Sequence, residues 1–89
     1  MNKNEKETKA IEAAKNILGE CGYYYVEHIG RWVHTRPTNV SEELSYVAHQ
    51  LVQELNSPYW HDRRVMYLVY QLLDEADYVQ IGNDWVPRT

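Results

Sequence analysis

The chain predicts an α+β fold, with three helices and one or two short β-hairpins in a single small domain over 1–89. Three observations lead there. Three segments carry apolar residues at helical spacing, each with a polar opposite side. Two other segments are rich in β-branched and aromatic residues and hold a glycine at a turn position. The length of 89 residues suits one domain with one core. A chain of this size buries about 64% of its unfolded surface, so the core is thin. The hydrophobic content of 44% excludes a disordered chain.

The first helix is predicted over 5–18. Ala10, Ile11, Ala14, Ile17, Leu18 and Cys21 form its apolar stripe, and Glu5 and Lys9 stand in the favourable i,i+4 order. Residues 1–4 are expected to be disordered. Gly19 or Gly22 supplies the C-terminal stop. Tyr23-Tyr24-Tyr25-Val26 and Arg31-Trp32-Val33-His34-Thr35 are strand-prone runs around Ile29-Gly30. They read as a short hairpin, or as one strand with an irregular return. Arg36-Pro37-Thr38 ends it. A second helix follows over 41–55, capped by Asn39 or Ser41 and striped by Leu44, Val47, Ala48, Leu51, Val52 and Leu55. Ser57-Pro58 is a helix-start signal, which places a third helix over 58–75 with Val65, Leu68, Val69, Leu72 and Leu73 facing inward. A C-terminal hairpin over 78–87 turns at Gly82-Asn83, a II′ pairing. Trp32 and Trp85 are expected to anchor the two hairpins, with Trp85, Ile11 and Leu44 in the core.

Two stretches echo each other. Ile17-Leu18, Glu20, Tyr25-Val26, Ile29-Gly30 and Trp32-Val33 resemble Leu72-Leu73, Glu75, Tyr78-Val79, Ile81-Gly82 and Trp85-Val86. The match needs small gaps. It reads as an old duplication of a helix–hairpin unit or as two hairpins using similar chemistry, the second being favoured.

The element order resembles that of a winged helix-turn-helix domain over nearly the whole chain, on order alone. The resemblance implies that the third helix would read the DNA major groove and that 78–87 would be the wing. The second helix is long for such a domain, and the wing is poor in Lys and Arg. With 9 basic and 13 acidic residues the net charge is −4, whereas domains that live on phosphates are usually basic.

Eight Tyr, three Trp and no Phe are too many polar-tipped aromatics for a thin core to bury. On the outward face of the third helix, Trp60, Arg63, Arg64, Tyr67, Tyr70 and Gln71 bring aromatics beside arginines, the pairing that binding hot spots use. Asp74, Glu75, Asp77 and Asp84 form a candidate acidic patch for a basic partner surface. His28, His34, His49 and His61 lack metal-ligand spacing, although His28 and His34 would approach each other across a hairpin. Cys21 sits on an apolar stripe, and one cysteine excludes an internal disulfide. No catalytic residue, metal ligand or cofactor motif emerges. The N-terminus lacks the apolar core of a signal peptide, and no apolar run nears membrane-spanning length, so a cytoplasmic location is expected. The expected function is a non-enzymatic protein-binding module, of the kind that phages and mobile elements direct as small inhibitors or adaptors at host proteins. The alternative is a winged-helix DNA-binding regulator. Another protein is the expected partner ahead of nucleic acid, a homodimer stays open, and no membrane partner is expected.

Overall fold

The computed structural model describes residues 3–59 and 61–88. Its elements are α1 (Lys3–Glu20), β1 (Tyr23–Val26), β2 (Arg31–His34), α2 (Glu42–Asn56), α3 (Asp62–Glu75), β3 (Tyr78–Ile81) and β4 (Asp84–Pro87). This is the α+β class the sequence predicts. The two hairpins are separate two-stranded antiparallel sheets and do not pair with one another. The order helix–strand–strand–helix–helix–strand–strand is compatible with a winged-helix-like layout.

Local chemistry explains most boundaries. Ser41 caps α2, its Oγ accepting from the Leu44 N–H at 3.1 Å. Gly82 turns the second hairpin with φ +64 and Asn83 keeps a negative φ, as a II′ turn requires. Two boundaries differ from expectation. Lys3 and Asn4 belong to α1, while Met1 and Asn2 lie outside the described residues. The third helix starts at Asp62, not at 58: Ser57 ends α2 instead, donating its N–H to the Glu54 carbonyl, and its Oγ accepts from the Tyr59 N–H at 3.2 Å. Ser57-Pro58 therefore makes a turn, and His61 precedes α3 without capping through its side chain.

The core lies between the apolar stripes of the helices. Ile17, Leu18, Leu51, Val69, Leu72 and Leu73 are its largest fully buried side chains, and Val52 and Val65 are also buried. Ile11, Leu44, Trp32 and Trp85 are half-buried and pack against it. Helix α3 packs on both α1 and α2, β1–β2 rests on α1 and α2, and β3–β4 rests on α3 and α1.

The sequence echo proves to be structural. Shifting α1 by fifty-five positions superimposes its stripe on that of α3: Ala10, Ala13, Ala14, Ile17 and Leu18 fall on Val65, Leu68, Val69, Leu72 and Leu73, all buried. Both helices end alike. Cys21 N–H donates to the Ile17 carbonyl as Ala76 N–H does to Leu72, and Gly22 N–H donates to Gly19 as Asp77 N–H does to Asp74. Gly22 (φ +89) and Asp77 (φ +61) take the left-handed conformation at the same place. Each then accepts a 2.8 Å bond that closes its hairpin, from Thr35 N–H and Arg88 N–H respectively. The equivalence pairs Tyr23, not Tyr25, with Tyr78, and two extra residues in the first hairpin's tip account for the offset of Trp32 and Trp85. α1–β1–β2 and α3–β3–β4 thus share a stripe spacing and a helix–hairpin joint, as both readings of the echo allow.

Candidate interaction surface on the third helix

Helix α3 turns its apolar stripe inward, which leaves Arg63, Tyr67 and Gln71 in a line at i, i+4 and i+8 on its outer side. All three are exposed, and Tyr67 keeps 61% of its surface accessible. Arg64 is also exposed but leans to α2, with Nε 3.6 Å from Glu54 Oε2. Tyr70 departs from the expected outward set. It is half-buried against the core, its ring 5.8 Å from the indole of Trp85. Trp60 lies outside the described residues.

The acidic patch divides. Asp77 pairs with Arg88 at 3.2 Å and Asp84 with Lys9 at 3.6 Å, each spent on holding a hairpin or helix locally. Asp74 is exposed. Glu75 takes part in a different grouping: with Glu42, Glu43, Tyr46, Val47 and Gln71 it lines a cleft between α2 and α3. Gln71 belongs to both the outer line and the cleft, so the two form one surface. Tyr46, 65% exposed, and the two glutamates join this surface although they stand outside the apolar stripe by which the sequence defines their helix. The signal was present: 42, 43 and 46 share one side of α2.

Hairpin β1–β2 carries a second aromatic group. Its register puts Tyr23, Tyr25, Trp32 and His34 on one face, with Tyr23–His34 and Tyr25–Trp32 ring pairs at 4.9 and 5.5 Å. Tyr23 Oη is 3.4 Å from His49 Nδ1 on α2. The expected approach of His28 to His34 does not occur, since His34 is at the open end of the hairpin and His28 in its tip. Among the described residues no three His, Cys, Asp or Glu side chains gather as metal ligands. Cys21 is buried, and burial, with Glu20 adding to it, pushes its thiol above the ordinary value. A thiol so held is a poor nucleophile. None of the helices among the described residues is long and apolar enough to cross a membrane. No family model, curated protein or solved structure matches the chain.

Proposed function

We propose that this chain is a non-enzymatic protein-binding module acting in the cytoplasm, in the manner of the small inhibitors or adaptors that phages and mobile elements direct at host proteins. The observation that carries the reading is the outer side of α3. There Tyr67 stands exposed between Arg63 and Gln71, and the surface runs on into the cleft of Tyr46, Glu42, Glu43 and Glu75. Tyr and Arg at the centre of a patch with a charged rim are what hot spots use. The glutamates favour a partner surface carrying Lys or Arg, which would steer its approach.

The winged-helix DNA-binding reading rests on element order and on the same helix. Of its two adjacent arginines, Arg64 is engaged by Glu54, and phosphate binding draws on several free cations.

A photo-crosslinking residue in place of Tyr67 tests the proposal in lysate of the native host. The expected result is one protein adduct that is absent when the crosslinker replaces Glu12 on α1. With that partner purified, Tyr67→Ala should weaken binding by about 2 kcal/mol and change unfolding stability by less than about 0.5 kcal/mol. Crosslinks to nucleic acid would replace this reading with the regulator, and unchanged affinity in Tyr67→Ala would remove the α3 surface from it.

A further inference from the structure

In an antiparallel pair, residues that exchange backbone hydrogen bonds alternate with residues whose N–H and C=O point outward. Trp32 spends both groups on Asn56, and Thr35 N–H bonds the Gly22 carbonyl. Tyr25–Trp32 and Tyr23–His34 are therefore the outward pairs of the first hairpin. On β2 the Asn56 amide covers that outward edge at Trp32. On β1 the N–H and C=O of Tyr23 and Tyr25 meet no backbone partner among the described residues. The edge is open to solvent: a shallow trough of about 700 Å³ follows the strand, lined by 23–28 in unbroken sequence and otherwise by Trp32. Proteins blunt such edges with Lys, Pro or a bulge. The second hairpin does so on β4, where Pro87 holds an outward position. Tyr23–Val26 has none of these, carries no charge and pairs in continuous register.

We infer that β1 is the contact of a two-fold homodimer, in which the β1 strands of two copies pair antiparallel about Tyr24. The open groups choose the occupant. They sit one residue either side of Tyr24, so a second copy sets its Tyr25 opposite Tyr23 and its Tyr23 opposite Tyr25 with no offset. Each such pair exchanges both of its backbone bonds. The two hairpins then form one continuous sheet. On the face of Tyr23, Tyr25, Trp32 and His34, each hairpin already holds ring pairs at 4.9 and 5.5 Å. Pairing joins them into rows that run from Trp32 through Tyr25 to the second copy's Tyr23 and His34. Cross-strand aromatic pairs are favourable. On the opposite face the Tyr24 side chains, 61% exposed in each copy, meet at the axis. Strand β3 also leaves two outward positions, Tyr78 and Gln80, but pairing there would set tyrosine against glutamine. No residue of α3 lines the trough, so the contact is separate from the proposed α3 surface.

Sedimentation equilibrium of the full chain is the test. A reversible dimer is expected by about 0.5 mM, weak because the contact falls below the standard interface size. Tyr25→Pro removes an outward N–H and no bond between β1 and β2, so it should weaken the dimer at least about tenfold. Gln80→Pro on β3 and Tyr67→Ala on α3 should leave it intact. Should Tyr25→Pro fold poorly, the exposed Tyr24 gives a second route. Tyr24→Lys and Tyr24→Glu should each dissociate, because like charges then meet at the axis. An equimolar mixture of the two should form a heterodimer at least about tenfold tighter than either variant alone. Only a residue that faces its own counterpart behaves so. Four results would overturn the inference. The chain could stay monomeric up to about 1 mM, which would leave the edge to a strand of another protein. Folded Tyr25→Pro could keep the dimer, Gln80→Pro or Tyr67→Ala could break it, or the mixture could bind no tighter than its components.

Discussion

Asn56, the last residue of α2, shows how much one side chain carries here. Its Oδ1 accepts from the Trp32 N–H at 2.8 Å and its Nδ2 donates to the Trp32 carbonyl at 2.9 Å. The amide stands in for a third strand along the edge of β2 and ties the hairpin to α2. Asn56→Ala removes both bonds and strands two part-buried backbone groups, so a loss of about 2 kcal/mol is expected in urea unfolding. Trp85 poses the opposite case. Its ring packs on the core and on Tyr70, yet its indole N–H is buried without a hydrogen-bond partner among the described residues. Trp85→Ala should cost about 3 kcal/mol, a large part of the stability of a domain this size. Trp85→Phe keeps a ring and removes the orphan donor, so its loss should stay under about 1 kcal/mol. Burial also raises three acids above their ordinary values: Cys21 above 9.0, helped by Glu20; Tyr23 above 10.0, helped by Cys21; and Tyr78 above 10.0, helped by Glu20. The folded state keeps these protons longer than the unfolded chain does. Their contribution is intact below about pH 9 and is lost as pH climbs through the raised values. Unfolding midpoints should fall steadily from pH 9 upward, and Cys21→Ala should remove the earliest part of that fall.

At the level of elements, the helix–hairpin joints make the paired units testable. Gly22 and Asp77 do the same conformational work with different residues. A Cβ on Gly22 would run into the Arg36 carbonyl oxygen, and φ there is +89. Gly22→Ala should therefore destabilise by about 2 kcal/mol or more, because backbone has to move. Asp77→Gly relieves a left-handed non-glycine residue at the loss of an exposed ion pair to Arg88 worth little. A gain of about 0.5 kcal/mol is expected. Thermal or urea melts of the two variants check both signs. Helix α2 belongs to neither unit; its role is to bury Val47, Ala48, Leu51 and Val52 on α3 and to receive the first hairpin.

For the molecule as a whole, charge is the deciding quantity. A net charge of −4 opposes approach to a phosphate backbone, and three of the nine basic residues, Lys9, Arg64 and Arg88, are paired with Asp84, Glu54 and Asp77. The monomer is expected not to bind duplex DNA specifically near physiological salt. Fluorescence anisotropy against a selected oligonucleotide pool checks this: tight binding that weakens steeply with added salt would reinstate the DNA-binding reading. The exposed apolar and aromatic surface points the other way. Tyr24, Tyr46, Tyr59 and Tyr67 stand largely in solvent on a domain of 6255 Å², and of these Tyr46 and Tyr67 lie on the surface that α2 and α3 share through Gln71.

The three helices, both hairpins and the inward stripes were legible in the amino-acid order because their causes are local. A 3.6-residue period, a serine before Glu42 and Glu43, and a glycine followed by asparagine act over a few residues wherever they occur. The start of α3 was not legible, since Ser57-Pro58 serves equally as a helix start and as a turn, and the choice went to the bond that Ser57 makes back to α2. The candidate surface was legible in part. Arg63, Tyr67 and Gln71 follow from helical spacing, but Tyr70 stands one step round the same helix, at the margin of the outward face. Whether it meets solvent or packs inward depends on where Trp85 arrives from a strand fifteen residues later. Likewise, Asp77 and Asp84 pair with Arg88 and Lys9, and Glu75 lines the cleft that the glutamates of α2 also line. A groove beneath the first hairpin, lined by Ala14, Lys15, Tyr25, Trp32, Leu55 and Met66 among others, has no local signature at all. It opens where α1, the first hairpin, α2 and α3 meet, and only the packing of those elements turns differences in side-chain volume into space.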